Sequence, residues 1–317
     1  MTIIGMFVAM FFFRSMLGYA GSTQAEAWRG RAGGAGAVER NYVGVLAALG
    51  RQLRLRATVT ATAQTYFWRF FRDRAFSAVR AGQQTPECHP DWMAPSCLSL
   101  ACKVEECPLL DPHVLKNAVL VVTKDPTLHF GFDVRSSAFM ERIVNNEFVL
   151  LEGLQAQLVV FHPYQDVQAF AADFAESSGV DHAQVMQLTE LSWNIVNDSY
   201  RCPACLLYTP YDIALAALFI AAESMNLLEE KRASEWWIKL EHEYADMKSC
   251  MKFILDNAYE PPDDVSYVEK LCVDLYAEWH QKLRMNAEKA NEREEEDDED
   301  DEEQSAKRRK EEGGAEK

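Results

Sequence analysis

The residues of this 317-residue chain whose types and spacing could do chemistry are few, and the first are thiols. Cys202 and Cys205 stand two residues apart, the spacing of a redox dithiol or of half a zinc knuckle. Cys88, Cys97, Cys102, Cys107, Cys250 and Cys272 supply no second such pair, so the four ligands of a structural zinc site are not assembled. The pattern around Cys202 is helical, unlike the strand–helix setting of a thioredoxin motif. Scattered free thiols of this kind suit a reducing intracellular compartment. His242-Glu243 could open a zinc-protease helix but lacks its second His, and no nucleophile–base–orienter set or pair of catalytic carboxylates stands out. These residues point away from an enzyme and call for no metal, cofactor or small-molecule ligand.

A different kind of signal sits at Lys103. Pro95 is followed by Leu98, Leu100, Ala101 and Cys102 at offsets three, five, six and seven; Pro210 is followed by Ile213, Leu215, Ala216 and Ala217 at the same offsets. This faint repeat predicts one helix used twice, each opened by a proline at its first position, where the missing N–H has no intrahelical partner. Both runs are apolar on several faces, as a helix enclosed by others must be. At offset eight the second copy has Leu218 and the first has Lys103, followed by Val104, Glu105 and Glu106. A lysine there can snorkel to solvent beside the negative helix end, pair with a nearby acid, or serve a partner.

The elements that must position these residues are helical throughout. Between 41 and 283 apolar residues recur at helical spacing, as in Val43, Leu46, Leu49 and Leu53, or Val59, Ala63, Tyr66, Phe67 and Phe70. Longer helical segments are predicted at 138–161, 183–200, 234–257 and 265–285. The fold class is all-α, and two central helices 115 residues apart suggest two consecutive helical domains of similar plan.

The residues around Lys103 resemble those of the cyclins, in the cyclin C branch. Met93-Ala94-Pro95-Ser96-Cys97 through Leu100-Ala101-Cys102-Lys103-Val104-Glu105-Glu106 is similar to the third helix of a cyclin box, and Glu147-Phe148-Val149-Leu150-Leu151-Glu152 to the start of the fifth. Val160-Phe161-His162-Pro163-Tyr164, Trp193-Asn194-Ile195-Val196-Asn197-Asp198-Ser199-Tyr200-Arg201 and Cys205-Leu206-Leu207-Tyr208 complete the likeness, which spans roughly 43–283. It implies two tandem five-helix cyclin boxes, over 41–161 and 162–284, and a non-catalytic regulatory subunit of a cyclin-dependent kinase. The kinase-holding roles fall on Lys103 and Glu147, with Val104, Glu106 and Phe148 beside them. In this branch the kinase belongs to the Mediator kinase module, acting on RNA polymerase II transcription in the nucleus. A groove facing another Mediator subunit would map to Trp193, Asn197, Asp198 and Tyr276; otherwise Trp193 and Tyr276 are core residues of facing helices.

Both ends depart from the family. Residues 80–92 are predicted as an extra loop before the third helix. Residues 1–40 form a divergent head: 3–13 are apolar, too short for a membrane span, and compatible with an Arg-rich transit peptide or with a helix packing Ile3, Phe7, Met10 and Phe11 on the body. Residues 30–37, rich in Gly and Ala, are predicted as a linker. The chain carries 49 acidic against 32 basic residues, net −17, of which 285–317 hold 15 acidic and 7 basic. That tail has too little apolar surface to order and is predicted disordered. Lys307, Arg308, Arg309 and Lys310 form a basic cluster that is either a nuclear-localisation signal or a solvated charge run. A net acidic body argues against direct nucleic-acid contact, and so against the competing reading of a TFIIB-like scaffold that binds DNA. Another transcription-type cyclin, of the H, K, L or T kind, is the nearer alternative.

Overall fold

The computed structural model describes residues 35–73, 89–107, 112–131, 139–229, 244–259 and 264–270, with single positions at 236, 273, 281 and 285. Among these every regular element is a helix. The apolar head, the loop residues 80–88, His242-Glu243, Tyr276, the acidic tail and the cluster at 307–310 lie outside the described residues.

The first half is built on α1 (Ala35–Gln52), α2 (Ala57–Asp73), α3 (Pro90–Val104), α4 (Pro112–Val122) and α5 (Phe139–Gly153). Ala35, Gly36 and Ala37 are the first turn of α1 rather than linker, because Ala favours helix and Ala37 and Val38 find a buried place. Tyr42, Val43, Leu46 and Leu49 face inward, and so do Val59, Ala63, Tyr66, Phe67 and Phe70 on α2. The two helices approach closely at Gly50, where a Cβ would stand 2.2 Å from the Thr60 hydroxyl.

The proline expectation fails at α3. This helix opens five residues earlier than predicted, with Pro90 at its first position and Pro95 inside it. The His89 ring nitrogen accepts the Asp91 N–H at 3.3 Å, and the Tyr42 hydroxyl donates to Asp91 Oδ1 at 2.6 Å, so a new N-terminus is anchored upstream. Pro95 then costs one backbone hydrogen bond in a helix that burial holds on all sides. Pro90, Asp91 and Trp92 are accordingly helix, not loop.

The segment expected over 138–161 stops at Gly153. Gln155 and Ala156 take φ of 53° and 56°, and the Ala156 N–H turns back to the Leu151 carbonyl at 2.9 Å, closing the helix in a left-handed cap.

The second half uses α6 (Tyr164–Ser178), α7 (His182–Ser199), the short α8 (Ala204–Leu207), α9 (Pro210–Ser224) and α10 (Tyr244–Ala258). Gly179, at φ 73°, ends α6. Thr209 and Asp212 form a reciprocal capping box at α9, which does start at its proline. Helix α9 is buried from Ile213 through Leu218 and again at Ala221 and Ala222.

Each half has its own apolar core, one around α1, α2, α3 and α5, the other around α6, α7, α9 and α10. Polar contacts join them. Trp68 Nε1 donates to the Tyr200 carbonyl at 2.9 Å, and Ala61 of α2 sits in the second core. His162 lies between the halves: its Nδ1 is 2.7 Å from the Tyr200 hydroxyl and its Nε2 2.8 Å from the Thr62 hydroxyl. Thr62 donates to Glu105 Oε1 at 2.7 Å, so it must accept from Nε2–H, and Nδ1 accepts from Tyr200. Burial, with Arg69 nearby, pushes His162 down to about 4, which keeps the ring neutral and this chain of donors one-directional.

Candidate functional site

Helices α3 and α5 pack side by side, and three residues of α3 on one face meet two of α5. The Ser96 hydroxyl donates to the Trp92 carbonyl at 2.8 Å and reaches the Ile143 carbonyl at 3.3 Å. One turn on, Ser99 Oγ donates to Glu147 Oε1 at 2.6 Å; a further turn on, Lys103 Nζ donates to Glu147 Oε2 at 2.5 Å. The spacings 96, 99, 103 and 143, 147 are those of single helical faces.

Glu147 and Lys103 are placed unequally. The glutamate side chain is 9% exposed, with both oxygens occupied from within the fold, whereas the lysine side chain is 43% exposed. One of the three ammonium donors goes to Glu147, and the solvent-side face of Lys103 can reach a partner's carbonyls. Lys103 lies in the last turn of α3, where the helix dipole favours a cation.

The chain turns sharply after it. Glu106 is exposed in left-handed conformation, φ 50°, and Glu105 is held from two sides by Thr62 and by Arg56, whose guanidinium donates to the Glu105 carbonyl. Val104 packs against the first core. On α5, Phe148 is 70% exposed and Val144 stands exposed one turn before it. An apolar side chain that open, next to a buried carboxylate paired with a half-exposed cation, offers a partner both contact area and orientation.

The second predicted cluster lies on α7. Trp193 is half-buried: its ring stacks on Tyr164 with centroids 4.6 Å apart, and the Tyr164 hydroxyl donates to Asn197 Oδ1 at 2.8 Å. Burial, with the Asp198 carboxylate nearby, pushes the Tyr259 phenol up to about 12. Tyr164 and Tyr259 are therefore the aromatic partners of this cluster among the described residues. The likeness had pointed to Tyr276, and Tyr259 could have been found only by knowing that α10 ends beside α7. Beyond Trp193 the outer face of α7 borders an open groove of about 450 Å³ lined by Val185, Met186, Thr189, Glu190 and Asn194.

No group of three or more His, Cys, Asp or Glu among the described residues could hold a metal ion, and no described helix is long and apolar enough to cross a membrane. Cys202 is buried and its thiol donates to the Ser199 carbonyl at 3.3 Å.

Comparison with known proteins decides the family. The chain is 33% identical to rat cyclin-C over 217 residues, 67% of this chain and 68% of the relative. It is likewise 33% identical to Drosophila melanogaster cyclin-C over 223 residues, covering 69% and 74% of the two chains. The chain belongs to the cyclin family.

The described Cyclin C-terminal domain of that family matches residues 162–256, which open at His162 of the inter-half relay and take in the whole second core except Ala61 and Ala258. Arabidopsis thaliana cyclin-C1-2 is 32% identical over 220 residues, 68% of this chain and 73% of the relative. A chain of the Chaetomium thermophilum CAK complex, solved with ATP-gamma-S, superposes with a TM-score of 0.52 at 18% identity, over 79% of this cyclin and 72% of that chain. A chain of the yeast TFIIK complex gives 0.50 at 19%, over 68% and 84%. At such identities the likeness shows the all-α cyclin fold alone.

Proposed function

We propose that this cyclin is the non-catalytic regulatory subunit of a cyclin-dependent kinase and binds it through the α3–α5 face. The carrying observation is the Lys103–Glu147 pair beside exposed Phe148: a fixed carboxylate aims a half-exposed ammonium at the surface where an apolar anchor stands ready. Val104 and Glu106 complete the surface. A partner helix ends in unpaired backbone carbonyls, and an ammonium already oriented by Glu147 can satisfy them with charge-assisted bonds. Activation is then a population shift: a cyclin that binds only the competent kinase conformation raises its fraction while doing no chemistry itself.

The relatives of cyclin C type favour a kinase of the Mediator kinase module, and hence a nuclear role in RNA polymerase II transcription, with the tail cluster Lys307–Lys310 as the import signal. We assign the two boxes to 41–161 and 162–284. The Trp193, Asn197 and Asp198 face, with Tyr276, is the surface for another Mediator subunit.

Affinity purification of the tagged full chain from native cells tests this. Lys103→Ala with Glu147→Ala, in protein whose circular dichroism is unchanged, is expected to cost about 2–5 kcal/mol of kinase binding and so to empty the pull-down of kinase. Undiminished kinase recovery would remove the assigned surface. Asp198→Ala is expected to lower recovery of other Mediator subunits with kinase retained, and equal loss of both would show that the two faces are not separate.

A further inference from the structure

The C-terminal cap of α3 brings two thiols together. The Cys107 N–H donates to the Cys102 carbonyl at 2.9 Å and the Glu106 N–H to the Lys103 carbonyl at 3.4 Å, with Glu106 left-handed between them. This is the Schellman pattern, in which the residues at the two ends of the turn commonly meet in an apolar contact. Here both are cysteines, so the cap sets them at the two ends of one turn.

We propose that Cys102 and Cys107 are an oxidation site, joined by a hydroperoxide into a disulfide that staples the end of α3. Three observations carry it. A backbone hydrogen bond of 2.9 Å already closes the loop between the two residues and holds their backbones together, which is the first requirement of a bridge. Access is graded: Cys102 is 1% exposed, while Cys107 is half-buried and open to a small oxidant. Finally, the Cys202–Cys205 pair, whose helical setting already spoke against a redox motif, is arranged differently, for Cys202 is buried and donates its S–H to the Ser199 carbonyl.

The chemistry balances in two steps. The Cys107 thiolate attacks one oxygen of the hydroperoxide, breaking the O–O bond; sulfur is oxidised to a sulfenic acid, and peroxide is reduced to water or alcohol. The Cys102 sulfur then attacks the sulfenic sulfur, and the displaced hydroxide leaves as water with the proton of Cys102. Burial and the neighbouring Cys107 push Cys102 up to about 12, which suits the resolving rather than the first-oxidised role. The proposal holds whatever α3 docks against.

Full-length reduced protein is treated with equimolar hydrogen peroxide, alkylated and digested with trypsin without reductant. Cleavage after Lys103 separates the two cysteines, so the expected product is Val104–Lys116 bound to the peptide ending at Lys103. Its mass is two hydrogens below the sum of the two, fragment ions place the bond on Cys102, and dithiothreitol releases it. Cys102→Ser is expected to lose this product and to trap Cys107 with dimedone. Recovery of wild-type Cys107 as sulfenic or sulfinic acid beside alkylated Cys102 would overturn the proposal, as would a bond from Cys107 to any other cysteine.

Discussion

Helices α3 and α9 have the same length, fifteen residues, and the same surroundings, each enclosed by three helices of its own half. Their sequences align with Pro95 on Pro210, yet their boundaries do not: α3 starts five residues ahead of its aligned proline and α9 starts at it. The aligned positions Lys103 and Leu218 therefore have opposite fates. Leu218 falls in the middle of α9 and is fully buried; Lys103 falls in the last turn of α3 and is half-exposed over Glu147. A shift of helix boundaries, rather than a change of fold, turned a core position into a surface one.

Exchanging the two residues should break this contrast most visibly. Leu218→Lys places a charge where α6, α7 and α10 surround α9, and is expected to destabilise the second core by more than about 4 kcal/mol in denaturant unfolding. A loss under about 1 kcal/mol would mean that Leu218 is not enclosed. The reciprocal Lys103→Leu leaves Glu147 with Ser99 alone, at an expected cost of about 1–3 kcal/mol.

His162 sharpens the comparison because it ties the Glu105 end of α3 to the second half. Its folded value of about 4 lies below the ordinary 6.5, so between these values the unfolded chain binds more protons than the folded one. The His162 contribution to stability is therefore full above about pH 6.5 and falls as the pH drops toward 4, by up to about 3 kcal/mol. Glu39 and Asp166, raised by burial to about 7 and about 6, titrate over the same range with the opposite sign, so the slope is read as the difference in urea midpoint between wild type and His162→Gln across pH 4–7; a difference independent of pH would locate the titration elsewhere.

The helix ends should give smaller effects. Thr209→Ala removes the capping box of α9 and should lower thermal stability by about 1 kcal/mol. Glu106→Gly relieves a left-handed residue in the α3 cap and should raise stability, by less than about 1 kcal/mol. A fall in melting temperature for Glu106→Gly would show that Glu106 makes contacts that outweigh its backbone strain.

Much of the fold was legible because period is a local property. The stripes Val43, Leu46, Leu49 and Val59, Ala63, Tyr66, Phe67, Phe70 are buried faces as expected, while Leu53 falls just past the end of α1. Helix ends were less legible. Pro95 was assigned to a first turn on its usual preference, but an anchored Asp91 and complete burial override it. In the second cluster Trp193 is half-buried, since its stacking on Tyr164 joins two helices, and no spacing within one helix reveals such a contact.

The sequence by itself determined an all-helical chain, a doubled central helix, one lysine that breaks the doubling, and membership of a family. Those follow from residue types and from spacings within a helix, where neighbours in sequence are neighbours in space. Only the tertiary structure decided that Lys103 is aimed by a buried Glu147, that His162 relays hydrogen bonds between the halves, and that one helix cap sets Cys102 and Cys107 at the two ends of a turn. The first two join residues 38 to 100 positions apart, and the third turns on a left-handed cap. Packing sets such distances, and no local spacing encodes them.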